Sequence, residues 1–384
     1  MPLQHEAVEG VPQGVKGMIN SLQIQGYRGF ERFEMSGLGR VTLLVGTNNC
    51  GKTSVLEALY LLAARGNPWA IYQIVWRRGE GVIGELNPRQ PQAELDIHHL
   101  FRGHELPVGA EFTISARNQA SEHTVSFAIS KMSAKERMEL FGHAENGAIP
   151  SRLVLQIKGT PAPIVSVLPL SRHGGVSTDV PETQLLALLP DPLTAAQFVT
   201  PGSLTGGELS RLWDRISLTP DEGLVLRALQ FLDRDIERVA VQTSQPQYFG
   251  SFTRGGFIAK IKGLEQPVPI GSMGDGMWRM LAMAIAITQC KGGFLLVDEI
   301  DAGLHYTVMA DMWKLIYRAA EEFNVQVFAT THSYDCVYSL AQLCQSSGEC
   351  QSITVQRIEA GKPKAIPYSE AEIKTAAERG LEIR

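Results

Sequence analysis

The chain has 384 residues, with 35 Lys and Arg against 40 Asp and Glu, a net charge of −5, and 44% hydrophobic against 20% charged residues. That balance excludes a disordered chain, and its slightly acidic sign excludes a globally basic nucleic-acid binder while leaving room for a local basic patch. At ~150 residues per domain the length suggests two or three lobes.

No apolar run approaches the ~20 residues that span a bilayer, and the first 17 residues lack the apolar core of a secretory leader. The sequence therefore predicts a cytoplasmic protein with no membrane partner. Cys50, Cys290, Cys336, Cys344 and Cys350 are odd in number and without C-x-x-C spacing, which predicts free thiols in a reducing compartment.

In chain order, Ile19, Leu22 and Ile24 predict a first strand, and Phe30 to Met35 a second. Val41 to Val45 has the apolar look of a buried strand. It runs into Gly46–Thr53 and a helix from Ser54 to Ala64. Between Ala110 and Leu170, short β-rich stretches (Glu111–Ala116, Thr124–Ile129, Leu153–Ile157, Ile164–Leu168) alternate with polar turns and predict an antiparallel insertion. Helical text follows over Gly207–Ile216 and Pro220–Leu232, the latter with Asp221 and Glu222 in the first turn, where the positive helix end favours them.

From Phe257 strands and helices alternate again: Phe257–Lys262, Met277–Gln289, Phe294–Val297, a helix from about Tyr306, Val325–Thr330, and a helix from Ser333. A Ser352–Gln356 strand, a turn at Gly361, another strand and a helix from Ser369 follow. This alternation predicts an α/β fold whose mixed, largely parallel sheet is split by an antiparallel β and helical insertion. The expected units are 17–109, 110–255 and 256–384. No fixed-period repeat, low-complexity tract or sustained heptad pattern is present.

Three segments carry chemistry. Gly46-Thr47-Asn48-Asn49-Cys50-Gly51-Lys52-Thr53 fits G-x-x-x-x-G-K-[ST] and stands between a buried strand and a helix, as that motif requires. Its glycines permit a nest of backbone N–H groups, and the helix end adds positive potential for phosphates. Lys52 is expected to reach the β- and γ-phosphates, and the Thr53 hydroxyl to ligate Mg²⁺.

Phe294-Leu-Leu-Val-Asp298-Glu299 reads as a buried strand ending in carboxylates. Asp298 is expected to hold Mg²⁺ through water, and Glu299 to be the base that polarises the attacking water. A third strand ends Thr-Thr-His332-Ser333. Its place points His332 at the γ-phosphate.

The order of these motifs, with Gly271-Ser272-Met-Gly274-Asp-Gly276-Met-Trp-Arg279 before Asp298 and Asp301-Ala-Gly303-Leu-His305 after it, resembles ABC-type ATPases. It is more closely similar to the branch of the overcoming-lysogenization-defect nucleases and the stand-alone ATPases of bacterial anti-phage systems. The opening Ser21–Phe30 and the segment Leu212–Thr219 look like that branch too.

The resemblance implies an ABC-type P-loop ATPase fold, ATP and Mg²⁺ as cofactors, and a homodimer in which Ser272, Gly274 and Gly276 of one copy cap ATP held by the P-loop of the other. Asp301 would lie where the two copies cross. Arg28, after the first strand, is a candidate nucleotide contact as in related repair ATPases. Tyr27 and Phe30 read as core residues with adenine packing as the alternative.

A competing signature, Leu204-Thr-Gly-Gly-Glu208, looks more like the transporter sequence LSGGQ, but it stands far from the Asp298 strand, whereas Ser272 is close. Thr205 and Glu208 there read instead as a helix capping box. The glutamine that usually senses Mg²⁺ has no clear counterpart; Gln73 and Gln156 are weak candidates. His98, His99 and His104 with Asp96 read as loop histidines rather than a metal site.

Related nucleases carry a further metal-binding domain after the ATPase, and about fifty residues after Ser333 are too few for one. The expected function is an ATP-dependent dimeric switch acting on a separately encoded effector, such as a nuclease, with DNA as a possible trigger. The alternatives are the nucleotide-binding subunit of a membrane transporter and a RecF-like DNA-repair clamp.

Overall fold

The computed structural model describes residues 18–83, 93–136, 153–160, 164–171, 174–177, 196–202, 206–242, 256–346 and 352–379. Cys350 and the Leu204–Thr205 half of the competing signature lie outside them.

Strands buried along their whole length build the centre. Val41–Val45 (β3), Phe294–Val297 (β15) and Gln326–Thr330 (β16) each bury every residue, which requires cover on both faces of a sheet. They sit in a six-stranded sheet with Ala196–Val199 (β11), Ile353–Arg357 (β17) and Ile366–Tyr368 (β18), in the order β11-β15-β16-β3-β17-β18. All pairs are parallel except β17 with β18. Alternate residues of a strand face opposite sides, so Leu43, Val45, Leu295 and Val297 join one core while Leu44, Leu296 and Phe328 join the other.

The second large sheet is antiparallel throughout: Phe30–Ser36 (β2), Ser21–Tyr27 (β1), Glu111–Arg117 (β6), Glu122–Lys131 (β7), Leu153–Thr160 (β8) and Ile164–Pro169 (β9). Burial alternates residue by residue along β6 and β7, so one face packs inward and the other meets water. Two three-stranded sheets complete the β-structure among the described residues. One joins Gly81–Ile83 (β4), Ala93–Asp96 (β5) and Gly175–Ser177 (β10); the other joins Ile236–Val241 (β12), Phe257–Ile261 (β13) and Val268–Pro269 (β14).

Helix Lys52–Ala63 (α1) lies between the two large sheets, against β6 and β7 on one side and β11, β15 and β16 on the other. It is followed by Pro68–Arg78 (α2), whose start is fixed by Asn67: its side chain accepts the Trp69 N–H at 2.9 Å. The opposite face of the parallel sheet is covered by helices that share one core: Gly206–Asp214 (α3), Pro220–Gln230 (α4), Asp275–Thr288 (α5), Tyr306–Glu322 (α6), Tyr334–Ser346 (α7) and Glu370–Glu378 (α8). No helix among the described residues is long and apolar enough to cross a membrane.

The placing of α1 buries a charge. Glu57 is enclosed on that helix, and ion pairs from Arg28 at 2.7 Å and Arg78 at 2.6 Å compensate it. The Tyr27 hydroxyl donates to the same carboxylate at 3.2 Å. A second buried polar tie joins the chain's beginning to its last third. Gln326 accepts the Ile19 N–H at 3.0 Å and donates to the carbonyls of Ile19 and Gly39, both at 2.8 Å.

Strand β6 pairs directly with β1, from Ser21 opposite Arg117 to Gln25 opposite Thr113. The stretch expected to form an insertion therefore extends the sheet begun by the first two strands, because β1 would otherwise be an open edge inside the molecule. The same stretch also supplies β11 to the parallel sheet, pairing with β15. A buried edge strand of four residues is too short to show a period, which is why it escaped the reading by pattern.

Candidate functional site

The site stands where the parallel strands β3, β15 and β16 end. After β3 the loop 46–53 turns tightly, with φ of 139° at Gly46, 61° at Asn49 and 103° at Gly51. Gly46 has no room for a side chain: a Cβ there would lie 2.2 Å from the Ile358 carbonyl oxygen. Gly46→Ala therefore combines a main-chain clash with a backbone region closed to L residues. It should cost roughly 1–3 kcal/mol or more. The urea midpoint should fall accordingly, and an unchanged midpoint would mean that the loop is not built this way.

Lys52 opens α1 with its side chain folded over the loop. Its Nζ donates to the carbonyls of Gly46 and Thr47, both at 2.8 Å. Burial lowers its pKa, while the Asp298 and Glu299 carboxylates act in the opposite direction and favour the ammonium form. Thr53, next in the helix, donates its hydroxyl to Asp298 at 3.0 Å and 3.2 Å from the two carboxylate oxygens. Asp298 also accepts the Thr330 hydroxyl at 2.6 Å. That same Thr330 oxygen accepts the Glu299 N–H at 2.8 Å. One threonine of β16 thus fixes both members of the Asp–Glu pair.

Glu299 has φ of 48°, a left-handed conformation, and its side chain is exposed. Beyond it, Thr331 donates to Asp301 at 2.6 Å, which ties the following turn to the end of β16. His332 follows directly and is exposed at the same strand end.

The donor set suits a small hard cation: a hydroxyl and a carboxylate already in contact, with oxygen as the only ligand type. Thr53 and Asp298 are the residues that would hold it.

Beside the loop lies a cleft of about 520 Å³, lined by Phe30, Arg32, Asn49, Gly51, Arg102 and Lys362 among others. The tip of the Phe30 ring closes against Gly51, where a Cβ would come within van der Waals contact of its para carbon. Arg102 braces the wall through the Gly29 carbonyl at 3.0 Å. The volume is in the range of small-molecule sites.

Arg28, a candidate nucleotide contact by sequence, is turned elsewhere. Its guanidinium pairs with Glu57 and Glu80, each at 2.7 Å, and is nearly buried. Burial alone would lower its pKa, but Tyr27, Glu80 and Glu57 raise it overall. The buried carboxylate of α1 is the physical reason for that orientation. Tyr27 is a core residue, and Phe30 is the aromatic that reaches the cleft.

Ser272 ends a short 3-10 turn just before helix α5, Gly274 caps that helix at φ of 100°, and Gly276 lies in its first turn. The Ser272 hydroxyl donates to the Pro269 carbonyl at 2.7 Å. Gly276 packs on the turn after Glu299, since a Cβ there would stand 2.9 Å from the Gly303 carbonyl oxygen. Within one chain this loop is thus joined to the 301–303 turn.

Gln156 lies in β8 and donates to Glu136, and Gln73 lies within α2. His98 pairs with Asp96 at 2.7 Å, and the Nδ1 atoms of His99 and His104 face each other at 3.1 Å. Cys50, Cys290, Cys336 and Cys344 are buried free thiols.

Sequence reasoning missed the roles of Thr330, Arg279, Arg102 and Lys362. The pair Thr330–Thr331 before His332 was the available signal, because hydroxyls at the tip of a buried strand need partners.

A family profile described as "AAA domain, putative AbiEii toxin, Type IV TA system" matches residues 41–335. A Helicobacter pylori protein described as "ATP/GTP phosphatase" is 22% identical over 354 residues, which cover 85% of this chain and 88% of that protein. The DNA replication and repair protein RecF of Bacillus thuringiensis is 40% identical over 89 residues, 22% of this chain and 24% of RecF. Among solved structures, the Smc head domain of Pyrococcus furiosus, bound to the C-terminal domain of ScpA, is 13% identical with a TM-score of 0.47, covering 94% of this chain and 98% of that one. The SMC head domain of Thermotoga maritima is 10% identical with a TM-score of 0.44, covering 91% and 98%.

Proposed function

The chain belongs to this AAA-domain family, and from that premise we propose that it binds Mg·ATP and hydrolyses it as an ATP-dependent dimeric switch. The observation that carries the reading is the convergence of Thr53, Asp298, Thr330 and Glu299 through hydrogen bonds of 2.6–3.2 Å at the mouth of the phosphate loop.

In this reading Lys52 and the loop's backbone amides hold the β- and γ-phosphates. Thr53 and Asp298 hold Mg²⁺, which neutralises charge on the phosphates when bound. Glu299 accepts a hydrogen bond from the attacking water and orients it in line with the γ-phosphate. His332 donates to the transferring group. The nucleoside lies along the cleft beside Phe30.

Ser272 and the amides of Gly274 and Gly276 from a second copy close over the γ-phosphate. The start of a helix with free N–H groups suits that role. The name of the Helicobacter pylori relative, ATP/GTP phosphatase, agrees with a nucleotide hydrolase.

The output is a separately encoded effector, with a nuclease of an anti-phage system as the form suggested by the motif resemblance to the overcoming-lysogenization-defect branch. The RecF similarity favours a second reading, a clamp whose closure is coupled to DNA.

Both are tested with tagged Glu299→Gln protein taken from its native cells. Light scattering with Mg·ATP should show twice the monomer mass, reverting to one on nucleotide removal. Mass spectrometry and a nucleic-acid stain then identify what is retained. A soluble effector supports the switch, and DNA without one supports the clamp. A constant mass with and without ATP would overturn the dimer.

A further inference from the structure

Arg279 is a charged residue on an otherwise apolar stretch of helix α5, 5% exposed within the helical core. A buried guanidinium needs several acceptors, and this one takes main-chain carbonyls from two strand ends. Its Nη1 donates to Thr200, just past β11, at 2.6 Å. Its Nη2 donates to Asp298 at 2.6 Å and to Glu299 at 3.0 Å, just past β15. Nε has no partner, so the side chain is held by its fork alone. Burial moves its pKa down to about 10, which leaves it charged at neutral pH.

The residue held in this way is the strained one. A non-glycine residue at positive φ is strained and persists only where its surroundings over-determine it. Glu299 is fixed on both sides: Thr330 takes its N–H, and Arg279 takes its carbonyl and that of Asp298. Arg279 stands just over a turn into a helix that begins at the Gly274 cap. The same helix start packs on the Gly303 carbonyl through Gly276. Helix start, Asp–Glu turn and 301–303 turn are therefore one rigid connection.

We propose that Arg279 is a positioning residue that couples the loop 271–276 to Glu299, so that capture of a second copy's nucleotide by that loop sets the place of the water-orienting carboxylate in its own chain. This rests on the dimeric switch proposed above. It supplies a path by which one site senses the other: the loop touches the neighbour's γ-phosphate, and the helix carries its position to the home Glu299.

Lysine at 279 would keep the charge and lose the fork, reaching one carbonyl at a time. For Arg279→Lys, ATP affinity at the phosphate loop should stay within about twofold while kcat falls about tenfold or more. In the Glu299→Gln background the same substitution should lower the residual rate no further, because it acts through the missing carboxylate.

Equal losses of affinity and turnover, additive losses in the double variant, or parent-like turnover would each overturn the coupling. Should the lysine variant fail to fold, Arg279→Gln, whose amide can reach one carbonyl but not both strand ends, should give the same split between affinity and kcat. If the parent protein itself hydrolyses no ATP, or Glu299→Gln costs nothing, the switch reading fails and takes this inference with it. Glu299-dependent turnover with an indifferent Arg279 sinks the inference alone.

Discussion

Lys52→Ala should abolish nucleotide binding while leaving a folded chain. The ammonium is seated over the loop, held by the Gly46 and Thr47 carbonyls at 2.8 Å. A hydrogen bond to a charged group contributes about 1.5–3 kcal/mol, and two or more phosphate oxygens would share this donor. The combined loss corresponds to an affinity drop of at least about a hundredfold.

The fold should survive, because alanine leaves two carbonyls beside a cleft that water can enter. Titration calorimetry with Mg·ATP and a thermal melt of the same sample check the two halves. Parent-like affinity would remove Lys52 from the site.

Glu299→Gln separates binding from chemistry. The amide fills the same volume and keeps the backbone tie from the Glu299 N–H to Thr330 at 2.8 Å, so the site should bind Mg·ATP within a few-fold of the parent. It cannot accept a proton or orient water as a carboxylate does. Loss of a general base typically costs ~10²–10⁴-fold in rate. Phosphate release under saturating ATP is the measurement, and a loss below tenfold would assign the base elsewhere.

Lys52→Ala and Glu299→Gln should fail in different ways, the first empty and the second loaded. Two variants that fail alike would contradict the proposed division of labour between loop and carboxylate.

Much of the site was legible in the sequence because its parts are local. A phosphate loop and its helix form one continuous segment, and a strand ending in Asp298-Glu299 announces itself by four apolar residues before two carboxylates. The parallel sheet followed from the alternation of strands and helices. What escaped was whatever depends on partners distant in the chain.

Arg28 looked like a nucleotide contact because of its place after β1. In the structure it pairs with Glu80 and with Glu57, and Glu57 needs a counter-charge because α1 lies between two sheets. Arg279 passed as one letter of a motif, since nothing local shows that its acceptors come from the ends of β11 and β15. Helix α2 was also missed, although Asn67-Pro68 at its start and Gly79 after its end are ordinary boundary signals.

The buried Gln326 has a bearing on how the protein is made. Its bond to Ile19 spans 307 positions. Strand β3 likewise waits for neighbours on both sides, β16 and β17, which lie far downstream in the chain. At synthesis rates of about 5–20 residues per second, the phosphate loop leaves the ribosome roughly a quarter of a minute to a minute before the strands that brace it. Such long-range pairing also slows folding itself. A nascent chain therefore carries an apolar, unpaired β3 that invites chaperone capture until both of those strands have emerged. The order of strands thus acts as a timer on when the loop after β3 gains its bracing.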